Sequence, residues 1–470
     1  MAKEKNKKTK SKKKNAGPKA IGIPAVGIVG NVVFSKKEAW AYYKIGSVPY
    51  DFLTEQGRAR LANDIMVALS GLSARAGKTV DLHILVTNTP FNVESWESQM
   101  FKIHDEWNGK GNRLSSFDNY MRKQVETLKK RNYKKKVVYF GVKLFTRGTL
   151  ALEDTNILDF GLGDAWDVFK KSLGALLTIP DEEITPMERT RANKDEYEIN
   201  RAIYSSTLRG TRLTSEELLL IMKKMLYPSM PAPYLEVSHE ERIGLNDIVL
   251  ETGAIIEDHR RFLKIKQMIG AEEREGYRAT LSFSKFPSDT MREPNGIDPF
   301  MYLPTLMGLP FTMSGRMTLM PVEAMKKDLQ KKKLESEDEL KNLAGSGQRA
   351  TSAVMETQYD IDRLDNELSG DSYPWVSGNY KMTIETPTQE LLATAIQEMK
   401  QEYAKNDTIL TWTSGDQLDL FLEEMPGGSL KIGDFAQLTN LAMIGVSGFA
   451  YGGTVGDPID EKLVLNRGRK

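Results

Sequence analysis

The chain has 470 residues, of which 40% are hydrophobic and 27% charged, and its formal net charge is +1. This length exceeds one ordinary core, so we expect two or three domains, and the near-neutral charge gives no overall attraction to nucleic acid or membrane. The sequence has no cysteine, which excludes disulfides, thiolate metal sites, iron–sulfur clusters and cysteine nucleophiles.

Residues 1–20 form a lysine-rich block, in which eight of the first 14 residues are Lys. Like charges repel one another and bury no apolar surface, so we expect a disordered basic tail. The tail either keeps the protein in solution or contacts an anionic lipid or nucleic-acid surface. The candidate contact residues are Lys7, Lys8, Lys10, Lys12, Lys13 and Lys14.

Residues 21–226 are predicted to form a first α/β lobe with a helical extension. Two apolar stretches near its start, VGIVGNVVF and AWAYYKIG, indicate strands. Hydrophobic periodicity then predicts a helix over 53–72, a strand over 80–88, a helix opening at Ser95, a polar helix over 114–132 and a strand over 135–145. In the helix predicted over 214–226, Thr214 and Glu217 have the spacing of a capping box.

The run YPSMPAPY (227–234) contains three prolines and predicts a rigid connector to a second α/β lobe over 235–455. This lobe opens with a strand hairpin over 253–268, which turns near Asp258 and His259, and a strand over 276–286. Residues 317–370 predict a long charged helical hairpin, split at Gly345-Ser346-Gly347. The hairpin either projects into solvent or onto a partner, or packs on its own lobe.

The second lobe ends in a strand over 375–387, a helix and the strand TILTWT. This strand–helix–strand order repeats that of the first lobe. We therefore predict an α+β fold of two mixed α/β lobes with split βαβ-like units, helical insertions and the charged hairpin. Residues 456–470 are expected to be a linker.

The stretch SGLSARAGKTV resembles a phosphate-binding loop at Gly77-Lys78-Thr79, but its register is wrong. The motif requires a glycine at position 72, where the chain has Leu72, and Gly71 lies one residue too early. The context is also reversed, because a phosphate loop follows a strand and opens a helix, whereas here a helix leads into a strand. We expect a helix terminus in which Gly71 and Gly77 adopt left-handed conformations.

The other candidate sites are equally incomplete. Gly22 and Gly27 have phosphate-loop spacing, but Ile28 stands where the lysine belongs. The pair Glu423-Glu424 resembles the acidic end of a metal-binding strand, yet the surrounding apolar residues have helical spacing. The four histidines, His83, His104, His239 and His259, show no metal-ligand spacing, and His83 is predicted to be buried in a strand. The residues themselves predict no catalytic, cofactor or metal site.

From about Ile21 onward, the chain resembles the N-terminal half of the traffic ATPases of conjugation and type IV secretion, of the VirB/TrbE/CagE type and its Gram-positive conjugative branch. The segments that carry this resemblance are NVVFSKKEAWAYYKIGSVPYDFL, VDLHILVTNTPFNVESW, YRATLSFSKFP, the stretch from Pro304 to Pro310, FLEEMPGG and GTVGDPIDEKLVLNRGRK.

The resemblance implies that ATP and Mg²⁺ bind in a motor domain that would begin roughly where Lys470 ends this sequence. We therefore expect a truncated protein, or one whose motor is on a separate chain, with no cofactor and no ATPase activity of its own. The implied partners are inner-membrane subunits of the secretion channel and further copies in a ring, with an anionic membrane surface. The implied location is cytoplasmic and peripheral, at the inner face of the cell membrane.

Two alternatives remain open from the sequence. The chain could be a nucleic-acid-binding module of the transfer machinery, since DNA would be attracted by the tail and by the basic runs at 129–136 and 325–333. It could also be a stand-alone nucleotide-binding protein that uses residues 71–79.

Overall fold

The computed structural model describes residues 24–48, 53–76, 79–90, 93–108, 115–131, 134–147, 184–230, 255–269, 271–286, 311–345 and 375–441, with isolated helical positions between 354 and 365. The basic tail, residues 1–20, and the predicted linker, residues 456–470, lie outside this part of the chain. The fold is α+β, as predicted.

The described strands, in chain order, are β1 (Ala25–Val29), β2 (Val32–Ser35), β3 (Glu38–Lys44), β4 (Val80–Pro90), β5 (Lys134–Thr146), β6 (Thr211–Arg212), β7 (Ile255–Asp258), β8 (Leu263–Ile269), β9 (Glu272–Lys285), β10 (Phe311–Met320), β11 (Trp375–Thr386), β12 (Ile409–Thr411) and β13 (Gln437–Asn440). The described helices are α1 (Glu55–Ala76), α2 (Val93–Asn108), α3 (Ser115–Arg131), α4 (Pro186–Tyr204), α5 (Ser215–Met225), α6 (Val322–Gly345), α7 (Gln389–Lys405) and α8 (Gln417–Glu424). These elements match the predicted helices and strands closely from residue 53 to residue 145.

All of these strands join one antiparallel sheet, in the order β1-β2-β3-β5-β4-β10-β11-β9-β8-β7. Strands β6, β12 and β13 pair with β3, β9 and β11 respectively. The central pairing is between β4 and β10, which run side by side from Val80 opposite Leu319 to Thr87 opposite Thr312. Strands from both predicted lobes are therefore continuous in one sheet.

The two predicted split βαβ-like units are present. In the first, α1 connects β3 to β4, and β5 lies between these two strands and antiparallel to both. In the second, α7 connects β11 to β12, and β9 lies between them in the same way. Because the middle strand is antiparallel to both outer strands, the two outer strands are parallel to each other. Each helix therefore connects two parallel strands that are separated by one antiparallel strand.

One face of the sheet is covered by α1 and α7. The helical spacing of Leu61, Ile65, Leu69 and Leu72 places all four on the buried side of α1. On α7, an equivalent apolar face packs into the same core. The opposite face of the sheet packs against α5 and α8, whose apolar residues form a second core with β3 and β8.

Helix α5 begins with the predicted capping box. Thr214 accepts the backbone N–H of Glu217, and the Glu217 carboxylate accepts the N–H of Thr214 at 2.9 Å. The helix then leads into the described part of the connector, residues 227–230. Gly276 of β9 lies against this segment so closely that a Cβ there would be 2.0 Å from the Pro228 carbonyl oxygen. The connector is therefore packed on the sheet at this point.

The charged hairpin starts later than predicted. Residues 317–320 complete β10, because the apolar side chains of Met317 and Leu319 continue its period-two burial, and α6 begins at Val322. The helix ends at Gly345, where the split was predicted. Lys333 and Ser336 bond Asp365 and Gln358, at 2.9 and 2.8 Å, so the described positions of the second helix run back along α6.

Within the described ranges, no helix combines the length and the hydropathy that crossing a bilayer requires.

Candidate functional site

The central strands carry polar side chains on the face that α8 covers. In β9, Arg278, Thr280 and Ser282 alternate with Ala279 and Leu281, and all five are buried. Because successive strand residues point to opposite faces, the apolar residues enter the α1–α7 core and the polar ones face α8. We call residues 417–432, which comprise α8 and the turns after it, the anchor segment.

A buried ion pair joins the anchor segment to β9. The Arg278 guanidinium donates to Glu424 Oε2 at 2.8 Å, and both side chains are only 1% exposed. Thr383 Oγ1 of β11 donates to the same carboxylate oxygen at 2.6 Å. The Arg278 guanidinium also lies 4.6 Å from the centroid of the Phe421 ring. Such a pair is stable only while both partners remain, since removing one leaves a buried charge.

The neighbouring carboxylate, Glu423, contacts β11 and β10. Its side chain accepts from Lys381, and its backbone carbonyl accepts from Arg316 Nη2 at 2.7 Å. It also accepts backbone N–H groups of Lys431 and Ile432, so it fixes the C-terminal end of the anchor segment. Burial lowers the pKa of Lys381, Arg316 adds to this shift, and Glu424 opposes it.

A hydrogen-bonded row connects the turn after α8 to three central strands. The Gly427 N–H donates to the Tyr42 hydroxyl at 2.9 Å, and that hydroxyl lies 2.9 Å from His83 Nδ1. Because the hydroxyl accepts from Gly427, its own proton is available to Nδ1. The other ring nitrogen, Nε2, then donates to Ser314 Oγ at 3.3 Å. A neutral imidazole with its proton on Nε2 satisfies this row.

Burial sets the protonation states along this row. It lowers the pKa of His83 well below the ordinary value, and the cations of Arg316 and Lys381 act in the same direction. Burial also raises the pKa of Tyr42 to about 12. Both side chains are therefore neutral near pH 7, as the hydrogen bonds require.

The turn that follows α8 depends on a glycine. Gly427 has φ +80°, a left-handed conformation that side chains other than glycine rarely adopt. A Cβ there would also lie 2.7 Å from Val33 Cγ1. At the other end of the helix, the Gln417 side chain accepts the N–H of Thr280 and donates to its carbonyl, at 2.8 and 3.0 Å. The anchor segment is thus fixed at its start, middle and end.

This arrangement holds a segment in place, and its carboxylates and cations bond one another. Among the described residues, no group of three or more His, Asp or Glu side chains could hold a metal ion. The predicted acidic pair Glu423-Glu424 lies on a helix, as its spacing indicated, and both side chains are used in these internal ion pairs. The bonds of this site couple the position of residues 417–432 to the centre of the sheet.

The other predicted site residues are dispersed. Helix α1 continues through Gly71 to Ala76 and β4 starts at Val80, so a helix leads into a strand here. The expected left-handed conformation at Gly71 is wrong, because this residue lies within the helix, where its neighbours continue the hydrogen-bonded turns. Gly77 and Lys78 lie outside the described residues, as do Gly22, His239 and the tail lysines.

Each described histidine packs in a different part of the fold. His83 is fully buried, as predicted. His104 stacks on Phe117, with ring centroids 4.1 Å apart, and His259 stacks on Phe262 at 4.8 Å. Both stacked rings pack with local neighbours on their own elements or the adjacent one.

Sequence reasoning did not find Tyr42, Arg278, Arg316 or Lys381. A signal was present for Arg278, because the polar residues of YRATLSFSK alternate with apolar ones, and an arginine in such a row faces a covered surface. The partners of Arg278, however, lie up to 146 positions away along the chain.

Comparison with protein-family models and with curated proteins gave no match.

Proposed function

We propose that this chain is the docking and assembly region of a type IV secretion or conjugative traffic ATPase, which engages membrane subunits of the channel and orders the motor. The resemblance of FLEEMPGG to the family's segment ahead of the motor domain is the starting point. The observation that carries the proposal is the fixation of this segment. Glu423, Glu424 and Gly427 are each bonded to central strands of the sheet.

A docking region must hold the parts attached to it in defined positions rather than catalyse a reaction. The buried pair of Arg278 and Glu424 and the row through Tyr42 make the anchor segment part of the same rigid body as the sheet. After the anchor segment the chain returns to the sheet as β13, which pairs with β11. A partner that binds the sheet or its helices would therefore determine the position from which the chain continues after β13. This is how binding to a membrane subunit would position a motor attached beyond the anchor segment.

The proposed location is the cytoplasmic face of the inner membrane, held there peripherally. The basic tail supports this, because each lysine near an anionic bilayer contributes about 1 kcal/mol of attraction. Salt screens that attraction over about 8–10 Å, so the tail would assist docking on membrane subunits and would not replace it.

The direct test is co-purification. The tagged 470-residue chain is co-expressed with the inner-membrane subunits of its transfer system, extracted in mild detergent and captured by its tag. We expect at least one channel subunit to be retained, because a docking region needs a protein partner in the membrane. An unrelated integral membrane protein of similar size, expressed in the same cells, serves as the control.

Two results would contradict the proposal. One is capture of the folded chain with every channel subunit in the unbound fraction. The other is retention of the control membrane protein to the same extent, since that would show attraction to detergent-exposed surface only.

A further inference from the structure

Helix α4 carries large apolar side chains on its solvent side. Met187, Tyr197 and Tyr204 are 68%, 64% and 69% exposed. The sheet-facing residues of the same helix, among them Ala192 and Ile203, are buried. Tyrosine and methionine exposed in this way on one helix are typical of a surface that contacts another protein.

The exposed residues of α4 follow a seven-residue spacing. Met187, Lys194 and Arg201 are seven apart, as are Tyr197 and Tyr204. Positions separated by seven, and by three or four, lie along one side of a helix. This is the spacing with which one helix packs along another, so the partner surface is expected to be helical. We call this set the α4 face.

The α4 face has a surplus of positive charge. The acidic residues on its buried side are already neutralised, since Glu188 pairs with Arg147 at 2.7 Å and Glu196 with Arg212 at 2.6 Å. On the exposed side, Lys194 and Arg201 outnumber Glu198, which leaves a surplus of one positive charge. A complementary helix should therefore combine apolar and acidic residues.

The charged hairpin of the same chain has these properties. Its base packs on the sheet through Met325, Leu329 and Ile361, which form a small core with Trp375. On its second helix, Met355 and Tyr359 are 59% and 65% exposed. Residues 354–367 contain five acidic residues and one basic residue. Lys333 of α6 contacts Asp362 and Asp365, at 3.7 and 2.9 Å, and a surplus of negative charge still remains. We call the surface around Met355, Tyr359 and Asp362 the hairpin face.

Both faces are exposed in one chain, so neither covers the other within the molecule. We propose that the hairpin face of one copy docks on the α4 face of a second copy. Such a contact joins two different surfaces, so each copy can bind a neighbour on either side, which is the geometry that generates rings. This inference deepens the proposed function and rests on it for the use of the contact in assembling a motor ring.

The absence of cysteine from the sequence makes the contact testable by cross-linking. Tyr204→Cys and Tyr359→Cys variants of the full chain are mixed in equal amounts and treated with a mild oxidant. Docking raises the local thiol concentration to the millimolar range, so we expect the disulfide-linked heterodimer to exceed the control by about tenfold. The control mixture replaces Tyr204→Cys with Tyr120→Cys, since Tyr120 is a similarly exposed tyrosine, 57%, on α3.

If the cysteine variants do not fold, a second measurement tests the proposal without them. Light scattering of the wild-type chain should show association with rising concentration, and Tyr197→Ala with Tyr204→Ala should weaken it about tenfold or more. Tyr120→Ala should leave it unchanged.

Equal cross-linking in both mixtures, a dominant disulfide-linked homodimer of the Tyr204→Cys variant, or a wild-type chain that stays monomeric at every concentration would each overturn the inference. Binding of the α4 face to anionic phosphatidylglycerol vesicles, lost in the double tyrosine variant while association persists, would overturn it as well. These experiments contain only this chain, so a failure here is distinguishable from failure to capture a membrane subunit.

Discussion

At the residue scale, charges buried between the sheet and the anchor segment determine how the two are held together. The pair formed by Arg278 and Glu424 is shielded from water, whereas the pair formed by Lys285 and Asp407 is 52% and 68% exposed. A water-exposed pair contributes little because solvent screens it. The two pairs therefore provide a matched comparison within one molecule.

We predict that Glu424→Gln lowers the free energy of unfolding by about 3 kcal/mol, because it leaves the buried Arg278 cation with only the longer contact to Glu385, at 3.6 Å. Asp407→Asn should cost less than about 1 kcal/mol; asparagine also tolerates the left-handed conformation of that position, φ 51°. Urea unfolding followed by tryptophan fluorescence measures both. Equal losses in the two variants would show that the buried pair has no special role.

His83 gives the stability a pH dependence of known sign. Its pKa in the folded chain is well below 6.5, the ordinary value that applies after unfolding. Below pH 6.5 the unfolded chain therefore binds a proton that the folded chain refuses, and stability falls as the pH falls. The decrease is about 1.4 kcal/mol per pH unit until the folded pKa is reached.

We predict that His83→Gln is less stable than the wild type at pH 7.5, because it disrupts the bonds to Tyr42 and Ser314. Between pH 6.5 and 5.5, however, the variant should lose less stability than the wild type, by about 1 kcal/mol, because the unfolded histidine is only half protonated at pH 6.5. Urea unfolding at the three pH values measures this. Curves that stay parallel over the whole range would mean that His83 does not titrate as its burial requires.

At the element scale, the helices and strands follow from local patterns. The capping box of α5 and the buried stripe of α1 could both be predicted, because each depends on residues within a few positions of one another. The start of α6 could not, since the strand pairing that extends β10 to Met320 is made with residues near 80 and 375. The polar contacts of the anchor segment were missed for the same reason.

The junction between α1 and β4 belongs to this scale, and it bears on nucleotide binding. The helix precedes the strand, which is the reverse of a phosphate-binding loop. We predict that the purified chain shows no Mg-ATP turnover and that calorimetric titration with Mg-ATP gives the same trace for the wild type and Lys78→Ala. Binding by the wild type that disappears in Lys78→Ala would instead support the stand-alone nucleotide-binding alternative.

At the scale of the whole molecule, two units of similar design share one sheet. The first unit contributes β3, β5 and β4, and the second contributes β11, β9 and β12, with β10 between them. The repetition of strand, helix and strand along the chain predicted the units. Their fusion edge to edge was not predictable, because side-chain pattern shows that a strand is buried but not which distant strand lies beside it.

The pairing of β4 with β10 has a consequence for biosynthesis. When β4 leaves the ribosome, the strand that completes its second edge has not been translated, since residues 312–319 follow more than 200 positions later. Until then, the N-terminal unit exposes an apolar strand with open backbone groups, which invites pairing with a neighbouring nascent chain. Chaperone protection of this edge during translation would thus matter most over the interval between those two strands.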